Sequence, residues 1–98
     1  MYIANLTYIN PLTNVEIYLD EHIAFLDKYF QRGKFICSGR KNPRDGGIIL
    51  FNAQDQHEMQ EIIAEDPFYQ HQIARYEIIE FYPTKCASDF LSFTKESL

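Results

Sequence analysis

An ionisable side chain interrupts an apolar helical stripe in the first third of the chain, because His22 stands where the spacing predicts leucine. Apolar residues recurring at i, i+3, i+4 and i+7 are typical of one face of an amphipathic helix packed on a core. The stripe consists of Val15, Tyr18, Leu19, His22, Ile23, Leu26 and Tyr29 or Phe30. Imidazole exchanges its proton near neutral pH. His22 is therefore either a hydrogen-bonded core residue or the acid–base group of a small pocket.

Asp66 is the second residue whose type and position could do chemistry. Aspartate before proline is a frequent start of a helical turn, with the carboxylate capping the backbone and Pro67 at the first helical position. The same carboxylate, at the end of the second predicted helix and beside the first, could also orient His22. A carboxylate bonded to one ring nitrogen fixes the imidazole tautomer and raises its basicity. The two interpretations are compatible, because a carboxylate has two oxygens.

A basic segment begins in the last turns of the first predicted helix, since six of the nine Lys and Arg residues fall between positions 28 and 44. In an acidic chain, this clustering predicts one electropositive region. Within it, Arg40 and Arg44 carry planar guanidinium groups that suit carboxylate, phenolate or phosphate oxygens. Ser38 could add a hydroxyl donor, and Gly39 could bring backbone N–H groups close to a ligand. These four residues are candidate substrate-binding residues. The alternative is a solvated hairpin loop whose charges only aid solubility.

The other titratable and thiol groups form no recognisable motif. His57 and His71 lie on predicted polar surfaces, and the three histidines form no i, i+3 or i, i+4 pair, so we expect no metal site. Cys37 and Cys86 lack the C-x-x-C spacing of redox or zinc motifs. Nucleophile elbows, phosphate-binding loops and dinucleotide fingerprints are also missing, so we expect no cofactor. Any chemistry would be acid–base chemistry performed by a histidine.

The length and charge of the chain limit its class. At 98 residues it is one domain, and its net charge of −5 argues against nucleic-acid binding, which depends on Lys and Arg neutralising phosphates. No apolar run approaches the roughly twenty residues of a membrane span. The first ten residues, MYIANLTYIN, lack the basic region of a signal peptide. We therefore expect a cytoplasmic protein that binds neither nucleic acid nor membrane.

Four segments have the composition and alternation of β-strands. They are Tyr2–Ile9, Lys34–Ser38, Ile48–Phe51 and Ile73–Tyr82. The segment Gly39–Gly47 is dense in turn formers and predicts the loop of a hairpin between the second and third strands. A further short turn is expected over Phe68–Gln72.

Two helices alternate with these strands. The first is predicted to begin at a capping box, Thr13 with Glu16, and to end near Arg32 with Gly33 as its C-cap. The second begins at the cap formed by Asp55 and Glu58 and ends before the proline of the D-P-F motif. Its apolar face consists of Met59, Ile62 and Ile63.

The resulting order, βαββαβ, is that of the ferredoxin-like fold. This α+β architecture places two helices on one face of a four-stranded antiparallel sheet. We expect residues 1–83 to form this domain and residues 84–98 to form a C-terminal tail. The tail interleaves Ser and Thr with Phe90, Leu91 and Phe93. It either docks on the domain through those side chains, which we favour, or is partly disordered.

The face of the sheet without helices is predicted to be apolar. Ile48–Phe51 are consecutive apolar residues, so both faces of the third strand are apolar. The fourth strand presents Ile79 and Phe81 on one side and Tyr76, Ile78 and Tyr82 on the other. Large exposed apolar patches mark interaction surfaces. We expect a homodimer that packs sheet on sheet, because two-fold dimers are the commonest oligomers. The alternative is a monomer whose tail covers this face.

The sequence resembles the YciI-related (YCII) family over about residues 1–83. The matching segments are DEHIAFLDKYFQRGKF, SGRKNPRDGGIIL, AEDPF and IARYEIIEFYPTK, and the match depends on their order and spacing. The resemblance implies a ferredoxin-like domain that dimerises through its sheets into an α+β barrel. It also implies a site built from the helix-one histidine, His22, and the D-P-F aspartate, Asp66. Many relatives carry Gly-Pro after the second strand, whereas Arg40 follows Gly39 here, so no relative's substrate is transferred.

Two functions stay open at this point. In the first, a cofactor-independent enzyme uses His22, oriented by Asp66, as general acid or base on a small anionic or phenolic metabolite. Similar proteins include a dehydrochlorinase of a chlorinated hydroxyhydroquinone, which implies a lyase-, isomerase- or dehalogenase-like reaction. In the second, a noncatalytic dimer binds a small ligand or serves as an accessory protein. His22 is then a structural hydrogen-bond hub.

Overall fold

The secondary structure follows the predicted alternation of strands and helices. Residues 1–94, which the computed structural model describes, form four strands, four α-helices and one 3₁₀ helix. The strands are β1 (Tyr2–Tyr8), β2 (Phe35–Arg40), β3 (Gly46–Phe51) and β4 (Ala74–Glu80). The helices are α1 (Leu12–Ile17), α2 (Leu19–Gln31), α3 (Gln56–Ala64) and α4 (Pro67–Gln70), and the 3₁₀ helix spans Ser88–Phe93.

The four strands form one antiparallel sheet in the order β2–β3–β1–β4. This order confirms the predicted ferredoxin-like α+β fold. The hairpin loop is shorter than predicted, because Gly39 and Arg40 continue the pairing of β2 with β3 and leave only residues 41–45 outside the strands. A Cβ atom on Gly46 would lie 1.7 Å from the carbonyl oxygen of Leu6, so the close approach of β3 to β1 requires glycine there.

The core lies between one face of the sheet and the helices. Alternate residues of β1 point to that face, and they are Tyr2, Ala4, Leu6 and Tyr8. From α2 the buried side chains are Phe25 and Tyr29. From α3 they are Met59, Ile62 and Ile63, as predicted. The aromatic rings of Phe25, Tyr29 and Phe35 pack with centroids 5.3–5.5 Å apart.

Of the two predicted helix N-caps, one is wrong and one is confirmed. The Thr13–Glu16 capping box does not form, because α1 already begins at Leu12, after Pro11 in an extended conformation, and Thr13 lies inside the helix. A turn at Tyr18 then separates α1 from α2, which sequence periodicity had joined into one helix. Asp55 caps α3 as predicted, accepting a hydrogen bond of 2.8 Å from the backbone N–H of Glu58.

Among residues 1–94, no α-helix packs on the opposite face of the sheet. Ile3, Ile48 and Leu50 are half-buried there, and Ile79 is 47% exposed. Phe81, which was predicted to belong to the fourth strand, lies beyond the end of β4. Lys41 lies on the same face and donates hydrogen bonds to Asn5 and Thr7, both at 3.1 Å. The open face is therefore part apolar and part polar.

The C-terminal segment returns to the domain near the end of β3. The Asn52 side chain donates a hydrogen bond of 2.9 Å to the carbonyl of Phe93, and Thr94 is buried. Of the three apolar side chains that were expected to dock the tail, Leu91 and Phe93 are exposed and Phe90 is half-buried. Residues 95–98 of the predicted tail lie outside the described residues. Within residues 1–94, no helix has the length and apolar character needed to cross a membrane.

Candidate active site

Asp66 occupies the junction between α3 and α4. It is the N-cap of α4, with Pro67 at the first helical position, and its Oδ1 accepts a hydrogen bond of 3.0 Å from the backbone N–H of Phe68. The capping role predicted from the sequence is thus present. The carboxylate is nevertheless fully buried, which is unusual for an aspartate unless it is paired. Capping alone does not explain this burial.

His22 supplies the partner across the helix interface. Its Nδ1 lies 2.8 Å from Oδ1 of Asp66, 44 residues away in sequence. Its ring stacks on that of Phe68, with centroids 4.0 Å apart and planes 6° from parallel. Only 11% of the His22 side chain is exposed. The imidazole is therefore fixed in both position and tilt by residues of α4 and its cap.

The direction of this hydrogen bond follows from the surroundings of Asp66. Oδ1 already accepts from the Phe68 N–H, so a carboxylate that accepts from both groups requires the hydrogen on Nδ1 of His22. The neutral ring then carries its lone pair on Nε2. Among the hydrogen bonds within residues 1–94, none engages Nε2. This nitrogen is the one available to a ligand.

Tyr76 is a site residue that sequence reasoning missed. It lies on the helix-facing side of β4, opposite Leu6, and its hydroxyl donates a short hydrogen bond to Oδ2 of Asp66. Burial, followed by the neighbouring Asp66 carboxylate, raises the pKa of Tyr76 above its ordinary value, so the hydroxyl keeps its proton. The sequence did offer one signal, a tyrosine on the inward-facing side of β4. A buried phenol needs a hydrogen-bond partner, so this position indicated a polar group nearby.

A cavity of about 350 Å³ lies in front of His22. Its apolar wall includes Leu19, Ile23 and Leu26, which the sequence analysis had assigned to the core-facing stripe of the first helix. Across the gap, the small residues Ser38 and Gly47 occupy sheet positions that face the helices, beside Arg40. The small residues of β2 and β3 thus leave space where a core would otherwise close.

The predicted substrate-binding residues line the same cavity. Ser38, Gly39, Arg40 and Arg44 all contribute to its lining, on the side opposite α2. Asp66 is not part of the lining, since it lies behind His22. The structure therefore brings all six predicted site residues to one location, while their roles stay predictions.

The basic segment does not form the single electropositive region that was expected. Lys28 pairs with Glu65 through a short contact, and Lys34 lies 2.9 Å from Glu58. Lys41 is bound on the open face of the sheet. Of the six basic residues in this segment, only Arg40 and Arg44 line the cavity. The three lysines are held by the contacts described above.

The donor set suits organic rather than metal chemistry. Within residues 1–94, no group of three or more His, Cys, Asp and Glu side chains is arranged to hold a metal ion. The polar side chains that line the cavity carry one imidazole, two hydroxyls (Ser38 and Tyr8) and two guanidinium groups. Such a set can exchange a proton and bind negatively charged oxygen atoms.

The fold and this site define a small ferredoxin-like α+β domain with a histidine–aspartate pair beside a ligand-sized cavity. The chain belongs to the YCII-related domain family, whose sequence profile matches residues 1–82. A search of curated proteins finds no match.

A solved structure with a similar fold is 5-chloro-2-hydroxyhydroquinone dehydrochlorinase (TftG) from Burkholderia phenoliruptrix AC1100, in complex with 2,5-dihydroxybenzoquinone. Its TM-score to this chain is 0.69 at 15% sequence identity, and the alignment covers 83% of this chain and 93% of that chain. At this identity the likeness is one of fold.

Proposed function

We propose that this protein is a cofactor-independent enzyme in which His22 acts as general acid or base on a small anionic or phenolic metabolite. The observation that carries this proposal is the hydrogen bond from His22 Nδ1 to the buried Asp66, at the back of a cavity that His22 itself lines. Asp66 orients the ring and stabilises the imidazolium that forms when Nε2 takes a proton.

The proposed reaction is a proton transfer at one face of a bound ring. Nε2 of His22 accepts a proton from a substrate O–H or C–H group. In an isomerisation the imidazolium returns this proton to another substrate atom. In a dehydrochlorination the electron pair of the broken O–H or C–H bond forms a new double bond and chloride leaves with the electrons of the C–Cl bond, after which the imidazolium releases its proton to water. Lyase-, isomerase- and dehalogenase-like reactions all use such a step. General acid–base catalysis of this kind contributes about 10²–10⁴-fold to a rate.

The cavity supports a substrate with one ring and at least one negatively charged oxygen. A cavity of about 150 Å³ is sufficient for benzene, so a volume of about 350 Å³ has room for a substituted ring. Leu19, Ile23 and Leu26 provide the apolar contact. Arg40 and Arg44 provide donors for carboxylate or phenolate oxygens, with Ser38 and the backbone at Gly39 as supplementary donors.

The comparison with TftG suggests the first compounds to test. That enzyme is named for dehydrochlorination of 5-chloro-2-hydroxyhydroquinone and was solved with 2,5-dihydroxybenzoquinone. Both are single rings that carry several oxygens, which agrees with the size and polarity of the cavity described above. The reaction of this chain is therefore tested first on chlorinated hydroquinones and then on other one-ring phenols and carboxylates.

The decisive comparison is between His22→Gln and His57→Gln. His57 is exposed on α3 and serves as the matched control. Chloride release from 5-chloro-2-hydroxyhydroquinone, and turnover of the wider panel, should fall about 10²–10⁴-fold in His22→Gln and stay unchanged in His57→Gln. Equal turnover by His22→Gln and the wild-type protein would rule the proposal out.

A noncatalytic ligand-binding protein is the second candidate. Only 11% of the His22 side chain is exposed, and its ring stacks on Phe68. Both features are typical of a histidine with a structural role, and they favour this candidate. In that case 2,5-dihydroxybenzoquinone or another panel compound binds without turnover. Replacement of His22 by leucine then lowers the free energy of unfolding, because it leaves the buried Asp66 carboxylate without one of its hydrogen-bond donors.

We also propose that the protein forms a homodimer through the open face of the sheet. Half-buried Ile3, Ile48 and Leu50 and exposed Ile79 support an apolar contact there. The polar end of this face, at Lys41, would lie at the rim of such an interface, where polar residues are tolerated. Sedimentation velocity of Ile79→Glu against the wild-type protein tests it, with a shift from dimer to monomer expected.

A further inference from the structure

We infer that Tyr76 is a positioning residue for the His22–Asp66 pair. Its hydroxyl holds Oδ2 of Asp66, so that Oδ1 stays on the imidazole and keeps the hydrogen on Nδ1. The inferred effect of Tyr76 on the tautomer of the imidazole follows from these hydrogen bonds alone. Its effect on a rate rests on the proposed function, and the experiment below separates the two.

The carboxylate of Asp66 is held at both of its oxygens. Oδ1 accepts from the backbone N–H of Phe68 and from Nδ1 of His22, while Oδ2 accepts from Tyr76. With Oδ2 free, rotation about the Cβ–Cγ bond could exchange the two oxygens or tilt the carboxylate away from the ring. The Tyr76 hydroxyl opposes that rotation.

The two anchors of Asp66 come from independent elements. The Phe68 N–H belongs to α4, which follows Asp66 directly. Tyr76 belongs to β4, which pairs with β1 along its whole length, and its ring packs edge-on against Tyr69 with centroids 5.4 Å apart. A loosened α4 would therefore still leave the carboxylate attached to the sheet. This arrangement ties the position of the imidazole to the most regular part of the fold.

The hydroxyl of Tyr76 acts as a permanent donor in this arrangement. Burial and the Asp66 carboxylate both raise the pKa of Tyr76, so the phenol does not ionise at neutral pH. Tyr76 is also absent from the lining of the His22 cavity. It lines a separate cavity beside Tyr69, so it reaches a molecule bound in the His22 cavity only through Asp66 and His22.

The test is the tautomer of His22 in Tyr76→Phe, with Tyr69→Phe as the matched control. Long-range ¹H–¹⁵N NMR of labelled histidine, without added ligand at neutral pH, distinguishes the Nδ1–H from the Nε2–H form. We expect the Nδ1–H form to dominate in the wild-type protein and in Tyr69→Phe. In Tyr76→Phe the His22 signals should shift towards a mixture of the two forms. An unchanged His22 pattern in a folded Tyr76→Phe protein overturns the inference.

A measurement on the wild-type protein covers the case in which Tyr76→Phe does not fold. A hydroxyl hydrogen engaged by a buried carboxylate should give a downfield proton signal that exchanges slowly with water at low temperature. Assignment of such a signal to Tyr76 supports the inference, and rapid exchange of that hydrogen overturns it.

Turnover of the compound panel then separates this inference from the proposed function. If the protein is an enzyme, Tyr76→Phe should lower kcat about tenfold, the usual size of one hydrogen bond to a charged group expressed as a rate, with little change in KM. A shifted tautomer with no turnover in any variant supports positioning by Tyr76 while the enzyme proposal fails. Turnover that depends on His22, with an unchanged tautomer in Tyr76→Phe, supports the enzyme and overturns the role of Tyr76.

Discussion

The two sides of the cavity differ in how firmly their polar groups are held. On the inner wall, His22 and the carboxylate behind it are buried and are fixed by the Phe68 ring, the Phe68 N–H and Tyr76. The rim, formed by Ser38, Gly39, Arg40 and Arg44, is exposed. Within residues 1–94, no side-chain hydrogen bond or ion pair to the protein fixes either arginine.

This difference matches the demands of the two roles proposed above, proton transfer and substrate binding. Proton transfer depends on reacting atoms held to within a fraction of an ångström, so preorganised groups are effective there. Attraction of a negatively charged group is less sensitive to position, and mobile guanidinium groups can adjust to substrates of different shape. The inner wall would then determine the rate, and the rim would determine affinity.

The largest expected effect comes from removing the acid group of the inner wall. Asp66→Ala leaves the Phe68 N–H, the His22 ring and the Tyr76 hydroxyl without their shared acceptor. We expect a loss of about 3–5 kcal/mol in the free energy of unfolding, as for other broken buried pairs. Asp55→Ala is the control, because it removes only a helix cap and should cost about 1 kcal/mol. Urea unfolding measures both.

Equal losses in the two aspartate variants would contradict the description of the inner wall. In that case Asp66 would contribute only as an N-cap, and its bonds to His22 and Tyr76 would add nothing to stability.

The rim should show a smaller effect, and one on affinity alone. Arg40→Met and Arg44→Met are each expected to weaken binding of 2,5-dihydroxybenzoquinone about tenfold, the usual size of one lost charged hydrogen bond. Their unfolding free energies should change by no more than about 0.5 kcal/mol, because both side chains are exposed. Arg75→Met provides the control, since Arg75 is exposed and does not line this cavity.

Calorimetric titration at two salt concentrations would sharpen this comparison. Binding to the wild-type protein should weaken as salt rises, and binding to the arginine variants should respond less. Variants that lose stability, or that bind as the wild-type protein does, would contradict the account of the rim.

The smallest expected effect concerns the acid stability of the helix contact beside Asp66. Hydrogen bonds from Lys28 and Tyr29 lower the pKa of Glu65 below its ordinary value. The folded state therefore favours the ionised form, which stabilises it above the carboxyl's ordinary pKa of 4.5. This stabilisation is lost as the pH falls through the lowered value.

Glu65→Gln should accordingly be less stable than the wild-type protein at pH 7, by no more than about 1 kcal/mol for so exposed a pair. The difference should shrink as the medium is acidified below pH 4.5. Glu16→Gln, on the exposed surface of α1, is the control and should show no such convergence. A constant Glu65→Gln difference across the titration would exclude this carboxylate as the cause.

The inner wall was partly predictable from the sequence. The helical spacing placed His22 on an inward face, and the Asp-Pro pair placed Asp66 at a helix start, which both hold in the structure. Periodicity could not reveal what lies opposite a helical stripe. Leu19, Ile23 and Leu26 therefore looked like core residues, whereas the small Ser38 and Gly47 across from them leave a cavity.

The contacts of the basic side chains and of Tyr76 could not be predicted from sequence patterns. Clustered charges in the sequence predicted one basic region. In the structure, Lys28 and Lys34 instead pair with carboxylates of α3 and its C-cap, and Lys41 binds on the open face of the sheet. The alternation of residues along β4 predicts which face of the sheet carries Tyr76, but not which residue its hydroxyl binds. That partner is set by how α4 packs on the sheet, which is a tertiary contact between separate elements.

The most direct test of the central claim is the protonation pattern of the His22 ring in the ligand-free wild-type protein at neutral pH. Long-range ¹H–¹⁵N NMR reads this pattern, with exposed His57 as an internal reference. The account predicts a hydrogen on Nδ1 and a free lone pair on Nε2, the nitrogen offered to a substrate. A neutral ring with its hydrogen on Nε2, or a mixture of the two tautomers, would contradict the account.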